Sequence, residues 1–325
     1  MSLRIQFSRH GGPEVLEAVQ ASVPEPGPGQ VRIRNHAIGL NFIDTYVRSG
    51  LYPVPSLPSG LGTEGAGVIE ALGSQVSGWA IGDRVAYATG PLGAYAEQHL
   101  LPAANLVRLP EAISFEQAAA VMLKGLTVQY LLRQSYPLQG GETVLFHAAA
   151  GGVGSLACQW AAALGVKLIG VVGSPQKAER ARQLGAWATI DYSHEDVVQR
   201  VHELTGGGKC QVVYDSVGQS TWQTSLDCVA PRGLLVSFGN ASGPVSGVDL
   251  GILAKKGSLF VTRPSLMGYA DTPERLQAMA DELFAMISAG KLQVDINQRY
   301  SLRDAAEAQR ALSARETTGS TILLP

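Results

Sequence analysis

The stretch Glu142–Gln159, ETVLFHAAAGGVGSLACQ, decides how this chain is read. Thr143 to His147 form a short apolar run that predicts a strand. A turn of small residues follows, with Ala149, Gly151, Gly152 and Gly154, and a helix begins after it. Small side chains let backbone approach a pyrophosphate, and free N–H groups at a helix start meet its negative charge. The pattern is that of the first turn of a dinucleotide-binding unit, which points to a redox enzyme. Ala149 stands where the common fingerprint has its first glycine. A Gly-rich run alone is a weak signal; the strand before it and the helix after it supply the context.

Outward from this stretch, the period of the sequence stays that of strands alternating with helices. Strands are expected over 143–148, 167–172, 188–191, 211–215, 233–238 and 258–263, and helices over 153–164, 175–184, 194–204 and 220–228. Ser174 before Pro175 reads as an N-cap with proline at the first helical position. Such alternation predicts a doubly wound parallel sheet. Before residue 142 the pattern differs. VRIRNHAIGL (31–40), GAGVIEALG (65–73), DRVAYA (83–88) and GAYAEQHLL (93–101) read as strands separated by Gly-rich or polar turns, with no helices between them. Ser114 and Gln117 predict a capping box opening a helix over 115–121, with a second helix over 126–132. Thr272-Pro273 opens a long helix, Ser301–Asp304 another, and 320–324 a closing strand. These last elements are assigned to the first domain, giving a discontinuous domain of 1–124 and 268–325 and a second of 125–267.

The 325 residues suffice for two cores, and 38 glycines with only 16% charged residues fit a compact α/β enzyme. A net charge of −2 without a basic run argues against nucleic acid or an acidic membrane as a partner. The cysteines, Cys158, Cys210 and Cys228, are too few for a four-cysteine zinc lobe, and their scatter suggests a reducing compartment. No apolar signal core or membrane-spanning run is present, so a cytoplasmic protein is expected.

The end of the second strand of such a sheet chooses between the two nicotinamide dinucleotides. An Asp or Glu there accepts a hydrogen bond from the adenosine ribose. Here the strand ends Val171-Val172-Gly173-Ser174, with no carboxylate and with Lys177 one turn into the next helix. A small polar residue beside a cation suits a 2′-phosphate, with Tyr192 after the third strand as a neighbour. NADPH is the expected cofactor.

The motifs GLNFIDTYVRSGLYP (39–53), PSGLGTEGAGVIEALG (58–73), LKGLTVQYLL (123–132), HAAAGGVGSLACQ (147–159), VYDSVG (213–218) and LVSFGNASG (235–243) together cover most of the chain. Through them the sequence resembles the zinc-free quinone oxidoreductase (zeta-crystallin-like) branch of the medium-chain dehydrogenase/reductase superfamily. One departure is Ala162, where the branch's signature has Lys, Arg or Ser. The resemblance implies a GroES-like β-rich catalytic domain joined to a Rossmann domain. It also implies reduction of a quinone by NADPH, and a homodimer formed through the strand at 258–263, an apolar sheet edge that needs a partner.

Zinc-dependent relatives carry a Cys and a His-Glu pair where this sequence has Asn41 and Thr63-Glu64. Neutral amide and hydroxyl oxygens are poor zinc ligands, so no metal is expected, and Glu64 is read as a structural carboxylate paired with an arginine. Without a Lewis acid the accessible chemistry is hydride delivery to an acceptor that is already electrophilic. The resemblance puts Asn41, Asp44, Tyr46 and Tyr52, on a loop over 41–46 and just beyond it, nearest that acceptor. Asn41 and the tyrosines would donate to an oxygen gaining charge, while Asp44 would hold the loop or orient Tyr46. For the cofactor it implies Phe42 and Ile43, Thr127 and Tyr130, and Gly151, Gly152 and Val153 at the pyrophosphate. Gly173, Ser174, Lys177 and Tyr192 would take the 2′-phosphate. Ser216 and Val217, then Phe238, Gly239, Asn240 and Ser242, would lie over the cofactor, with Arg263, Pro264 and Ser265 after the last strand and Arg315 on a phosphate. Lys124 is read as a solvated helix-end residue or a cofactor contact. The rival readings are an enone or enoyl reductase of the same superfamily and a crystallin-like protein that binds AU-rich RNA.

Overall fold

The longest strand of the chain is also the hub of its first unit. The computed structural model describes residues 1–325, which divide into two compact units: 1–126 with 269–288 and 294–325, and 127–268 with 289–293. In the first, β1 (Ser2–Phe7) pairs antiparallel with β2 (Leu16–Ala21), a hairpin that the sequence reading did not anticipate. Then comes β3 (Gln30–Leu40), half-alternating at its start and continuously buried over 37–40. Helix α1 (Phe42–Ser49) follows at once and stops at Gly50, whose φ of 86° is the left-handed conformation that ends helices. The residues expected as a loop over 41–46 are therefore an N-cap and the first turns of a helix.

β4 (Ser59–Gly60), β5 (Gly65–Leu72), β6 (Arg84–Tyr87), β7 (Gln98–Pro102) and β8 (Val107–Arg108) complete the N-terminal strands. β3 pairs antiparallel with both β5 and β7. The strand expected over 93–101 begins only at Gln98. Residues 93–95 instead donate their N–H groups to the carbonyls of Leu61 and Gly62, which buries the Tyr95 side chain. Helix α2 (Phe115–Tyr130) opens with the reciprocal Ser114–Gln117 bonds of a capping box, at 3.0 and 3.1 Å. It is one helix where two were expected. Gly125, which lies between the two expected helices, leaves room for Leu283: a methyl group at 125 would lie 2.6 Å from its terminal carbons.

The second unit alternates. Its elements are β9 (Thr143–His147), α3 (Gly152–Ala163), β10 (Lys167–Val172), α4 (Pro175–Gln183), β11 (Ala188–Asp191), α5 (Val197–Leu204), β12 (Cys210–Asp215), α6 (Trp222–Cys228), β13 (Val229–Ser237), α7 (Gly251–Lys255), β14 (Phe260–Thr262) and α8 (Leu266–Tyr269). The sheet order is β11-β10-β9-β12-β13-β14, with every pair parallel. Numbered from β9, this is the order 3-2-1-4-5-6 of a doubly wound fold, with its switch point between β9 and β12. β9, β10 and β12 carry almost unbroken buried runs, as strands covered on both faces do. The helix expected from 194 starts at 197, because Asp196 caps it through Gln199 N–H at 2.8 Å.

Helix α9 (Pro273–Ser288), β15 (Ile296–Ser301), α10 (Ala305–Ser313) and β16 (Ser320–Leu324) return to the first unit. β16 pairs antiparallel with β3, and β15 lies parallel to β16 at the sheet edge. No helix is long and apolar enough to cross a membrane.

Candidate active site

In the second unit the carboxyl ends of β9, β10, β12 and β13 carry the expected nucleotide residues. β9 ends at His147, and Ala148 follows in left-handed backbone with φ 55°. Gly151 is the N-cap of α3 and brings no side chain to its first turn. The first N–H groups of α3 are thereby left for the oxygens of a ligand, beside Gly152 and Val153. A methyl group at Gly154 would lie 2.4 Å from the Ala148 carbonyl oxygen and 2.6 Å from Ala149 Cα. The structure also explains the alanine at the first fingerprint position. Ala149 Cβ fills the space above Gly170 of β10, where a second methyl would come within 2.7 Å. The glycine has moved one strand over. A glycine inside a strand signals such close approach, but the sequence reading did not single it out.

At the end of β10, Ser174 Oγ accepts from Lys177 N–H at 3.3 Å and caps α4. Tyr192 folds over Gly173, where a methyl group would meet its hydroxyl at 2.5 Å. Gly173, Ser174, Lys177 and Tyr192 are thus brought together, with Lys177 half-buried. The carboxylate of Asp191, the last residue of β11, is held in its own turn by Ser193 and His194 at 2.6–3.2 Å.

Ser216 and Val217 are fixed by Asp215, which the sequence reading passed over. One of its oxygens accepts from Val217 and Gly218 N–H at 2.7 and 3.0 Å. The other accepts from the Thr221 and Ser225 hydroxyls at 2.7 and 2.6 Å. Ser225 Oγ also lies 3.0 Å from His147 Nε2. Since its single proton goes to Asp215, His147 must donate, and burial keeps that imidazole neutral by lowering its pKa. The loop after β13 locks onto this one through Phe238 N–H to Asp215 O, Ala241 N–H to Ser216 O and Ser242 N–H to Val217 O. Gly239 is required there, as a methyl group would lie 2.3 Å from Ser216 O. Arg263 donates to Ser237 O at 2.8 Å, with Pro264 and Ser265 just beyond. Thr127 and Tyr130 lie on α2 in this unit, whereas Arg315 belongs to the other, in a left-handed turn after α10. Ala162 is exposed.

In the first unit Asn41 closes β3 and caps α1, held at both ends. Its N–H donates to Asp44 Oδ2 at 2.8 Å and its amide nitrogen to Glu64 Oε2 at 2.6 Å. Asp44 also accepts from the Tyr95 hydroxyl at 2.8 Å, a partner whose sequence position lies far outside the motif. Phe42 and Ile43 open the helix. Tyr46 stacks edge-on against Tyr52, ring centroids 5.4 Å apart, with Phe42 at 6.4 Å from Tyr46. Glu64 is fully buried, and its partner is Lys124 at 3.4 Å rather than an arginine. Lys124 is 6% exposed, so it is no solvated helix-end residue. The other Glu64 oxygen takes Leu123 N–H at 2.7 Å.

Burial raises the Asp44 pKa from 3.8 to about 7, against the lowering by its Asn41 and Tyr95 bonds. A carboxyl whose pKa is raised by folding stabilises the fold when protonated, so its contribution is full below pH 4 and is lost as pH rises through 7. Between pH 5 and 8 the unfolding free energy should fall relative to Asp44→Asn by on the order of 3 kcal/mol. Urea titrations at the two pH values measure it, and parallel curves for the two proteins would contradict it.

Two family models match: the alcohol dehydrogenase GroES-like domain over residues 27–111 and the zinc-binding dehydrogenase over 152–284. A quinone oxidoreductase of Pseudomonas aeruginosa is 71% identical over 325 residues, covering all of both chains. The chain belongs to the quinone oxidoreductase branch of the medium-chain dehydrogenase/reductase superfamily. The crystal structure of the Pseudomonas syringae pv. tomato quinone oxidoreductase superposes with a TM-score of 0.99 at 70% identity, covering both chains completely. That of Escherichia coli quinone oxidoreductase complexed with NADPH superposes at 0.98 and 57%, covering 99% of this chain and 100% of that one. The fold is therefore that of the branch, a GroES-like β-rich unit and a Rossmann sheet.

The zinc in the second model's name finds no donor set here. Asn41 offers only a neutral amide, and the Glu64 oxygens are taken by that amide, a main-chain N–H and an ammonium. No group of three His, Cys, Asp or Glu side chains is arranged to hold a metal ion. A cation would have to displace the Lys124 ammonium.

Proposed function

We propose that this chain is an NADPH-dependent quinone reductase that works without a metal. The observation that carries the reading is full-length 71% identity to a quinone oxidoreductase, together with a β10 end that lacks a carboxylate and groups Ser174, Lys177 and Tyr192. NADPH, when bound, supplies a hydride to the acceptor. The open first turn of α3 at Gly151, Gly152 and Val153 binds its pyrophosphate. Ser174 and Lys177 take the 2′-phosphate beside Gly173 and Tyr192. Ser216, Val217 and the loop from Phe238 to Ser242, held on Asp215, orient the nicotinamide side with Thr127, Tyr130, Arg263, Pro264 and Ser265 of the same unit; Phe42, Ile43 and Arg315 are assigned to the cofactor by the family resemblance alone. Asn41, Tyr46 and Tyr52 donate to the acceptor oxygen as it gains charge, and Asp44 holds Asn41 in place. Water supplies the proton that completes the hydroquinone.

The test is consumption of NADPH by the purified protein with 1,4-benzoquinone and with a simple enone, each repeated with NADH and with a chelator. Turnover on the quinone that prefers NADPH and ignores the chelator supports the reading; turnover on the enone alone moves the protein to the alkene reductases. Lys177→Ala should weaken NADPH at least about tenfold while leaving NADH within about twofold. Equal losses would remove Lys177 from the 2′-phosphate.

The proposal includes a homodimer through β14. That strand pairs only with β13 and leaves Phe260 and Val261 63% and 38% exposed at the sheet edge. Light scattering at micromolar concentration should return twice the 34.2 kDa chain mass, and a monomeric mass would refute it. It also includes a cytoplasmic location, in keeping with three free and buried cysteines.

A further inference from the structure

Glu64 and Lys124 form a buried pair for which the proposed chemistry has so far no use. Removing two opposite charges from water is costly, and pairs of this kind are often replaceable by apolar residues without loss of stability. The pair is nevertheless accommodated closely. Gly39 of β3 is bare because a methyl group there would lie 2.0 Å from Glu64 Oε2 and 2.3 Å from Ala119 O. The same Oε2 is the one that takes the Asn41 amide.

A carboxylate only accepts. Facing Asn41, it admits the NH2 side of the amide and rejects the carbonyl side, so it fixes which way the amide is turned. One Nδ2 hydrogen is spent on Glu64, and the second remains for another acceptor. A lone carboxylate 2.6 Å from that nitrogen would also oppose negative charge gathering on a neighbouring oxygen. The Lys124 ammonium, 3.4 Å from Oε2, cancels that opposition while leaving the acceptor-only character of Glu64 intact.

We propose that Glu64 and Lys124 are positioning residues for acceptor reduction: the carboxylate locks the Asn41 amide with a hydrogen directed to the acceptor oxygen, and the ammonium neutralises the carboxylate's field. The inference rests on the reading that Asn41 donates to the acceptor.

The experiment compares Asn41→Ala, Lys124→Met, Glu64→Gln and the double variant Glu64→Gln/Lys124→Met. Each is measured for melting temperature, kcat with benzoquinone and KM for NADPH. The single charge changes leave one ion unpaired and lower the melting temperature. The double variant is neutral and regains most of it. After Glu64→Gln the single carbonyl oxygen stays on the Leu123 N–H and the NH2 group faces Asn41, so the Asn41 amide is no longer held with its NH2 side toward residue 64. The double variant should keep a kcat depressed roughly tenfold or more, with KM for NADPH unchanged and a value close to that of Asn41→Ala. Recovery of kcat along with the melting temperature would make the pair purely structural and overturn the proposal, with Asn41→Ala still slow and its role intact. An Asn41→Ala protein with unaltered kcat would remove Asn41 from the acceptor site and the proposal with it.

Discussion

Asp215→Ala is expected to lower the unfolding free energy of the second unit by at least about 4 kcal/mol. Four donors converge on this buried carboxylate: two main-chain N–H groups and two hydroxyls. An alanine leaves all four without the acceptor they share. A buried donor left unsatisfied costs about 1–3 kcal/mol, and the hydroxyls recover part of that by turning elsewhere, which the N–H groups of Val217 and Gly218 cannot do. The effect spreads because the loop after β13 hangs on the same residues through Ala241 and Ser242. Cofactor affinity should fall with stability. Asp215→Asn retains one acceptor oxygen for the N–H groups and lets both hydroxyls accept instead, so it should cost clearly less. Urea unfolding followed by tryptophan fluorescence measures both. A loss of under about 1 kcal/mol for the alanine variant would mean that the loop relaxes and satisfies its donors elsewhere.

The second large effect is expected at Gly154. Gly154→Ala should weaken NADPH by about 100-fold, or ~2.7 kcal/mol, while the far-ultraviolet circular dichroism stays that of the parent. The added methyl does not meet the end of a flexible side chain. It meets main-chain atoms of Ala148 and Ala149 at 2.4–2.7 Å, in the turn whose N–H groups are to face the pyrophosphate. Ala148 already holds a left-handed φ of 55°, so the turn has little freedom to absorb the push. The helix or the turn must shift by a sizeable fraction of an ångström, and the misplaced N–H groups then miss their ligand. Isothermal titration with NADPH reads the result directly. Affinity within about threefold of the parent would show that the pyrophosphate does not depend on this turn.

The parts of the fold that were legible in the sequence are those decided by neighbours in the chain. β9, β10 and β12 are buried on both faces and read as apolar runs; Ser174 with Pro175 announces α4, and Ser114 with Gln117 announces α2. At α2 and at residues 93–95 expectation and structure part because a distant residue intervenes. α2 passes through Gly125 because Leu283 packs there, and residues 93–95 leave the strand pattern because Leu61 and Gly62 take their hydrogen bonds. The β1–β2 hairpin was missed because its outer strand buries too little to show a clear period.

The same division runs through the candidate site. The glycine-rich turn, the missing carboxylate after Val172 and the absence of Cys and His at the early metal-ligand positions are properties of short stretches, and the sequence alone determined them. It thereby determined the nucleotide-binding sheet. Only the tertiary structure decided that Lys124 rather than an arginine neutralises Glu64, that Tyr95 completes Asp44, that Gly170 makes room for Ala149, and that Asp215 holds the loops at the switch point. The Glu64–Lys124 and Asp44–Tyr95 partners are 60 and 51 residues apart in the chain. Local propensity and period act over a few residues. A buried charge takes whatever donor the packing brings within about 3 Å, and that choice is made only when the sheets close.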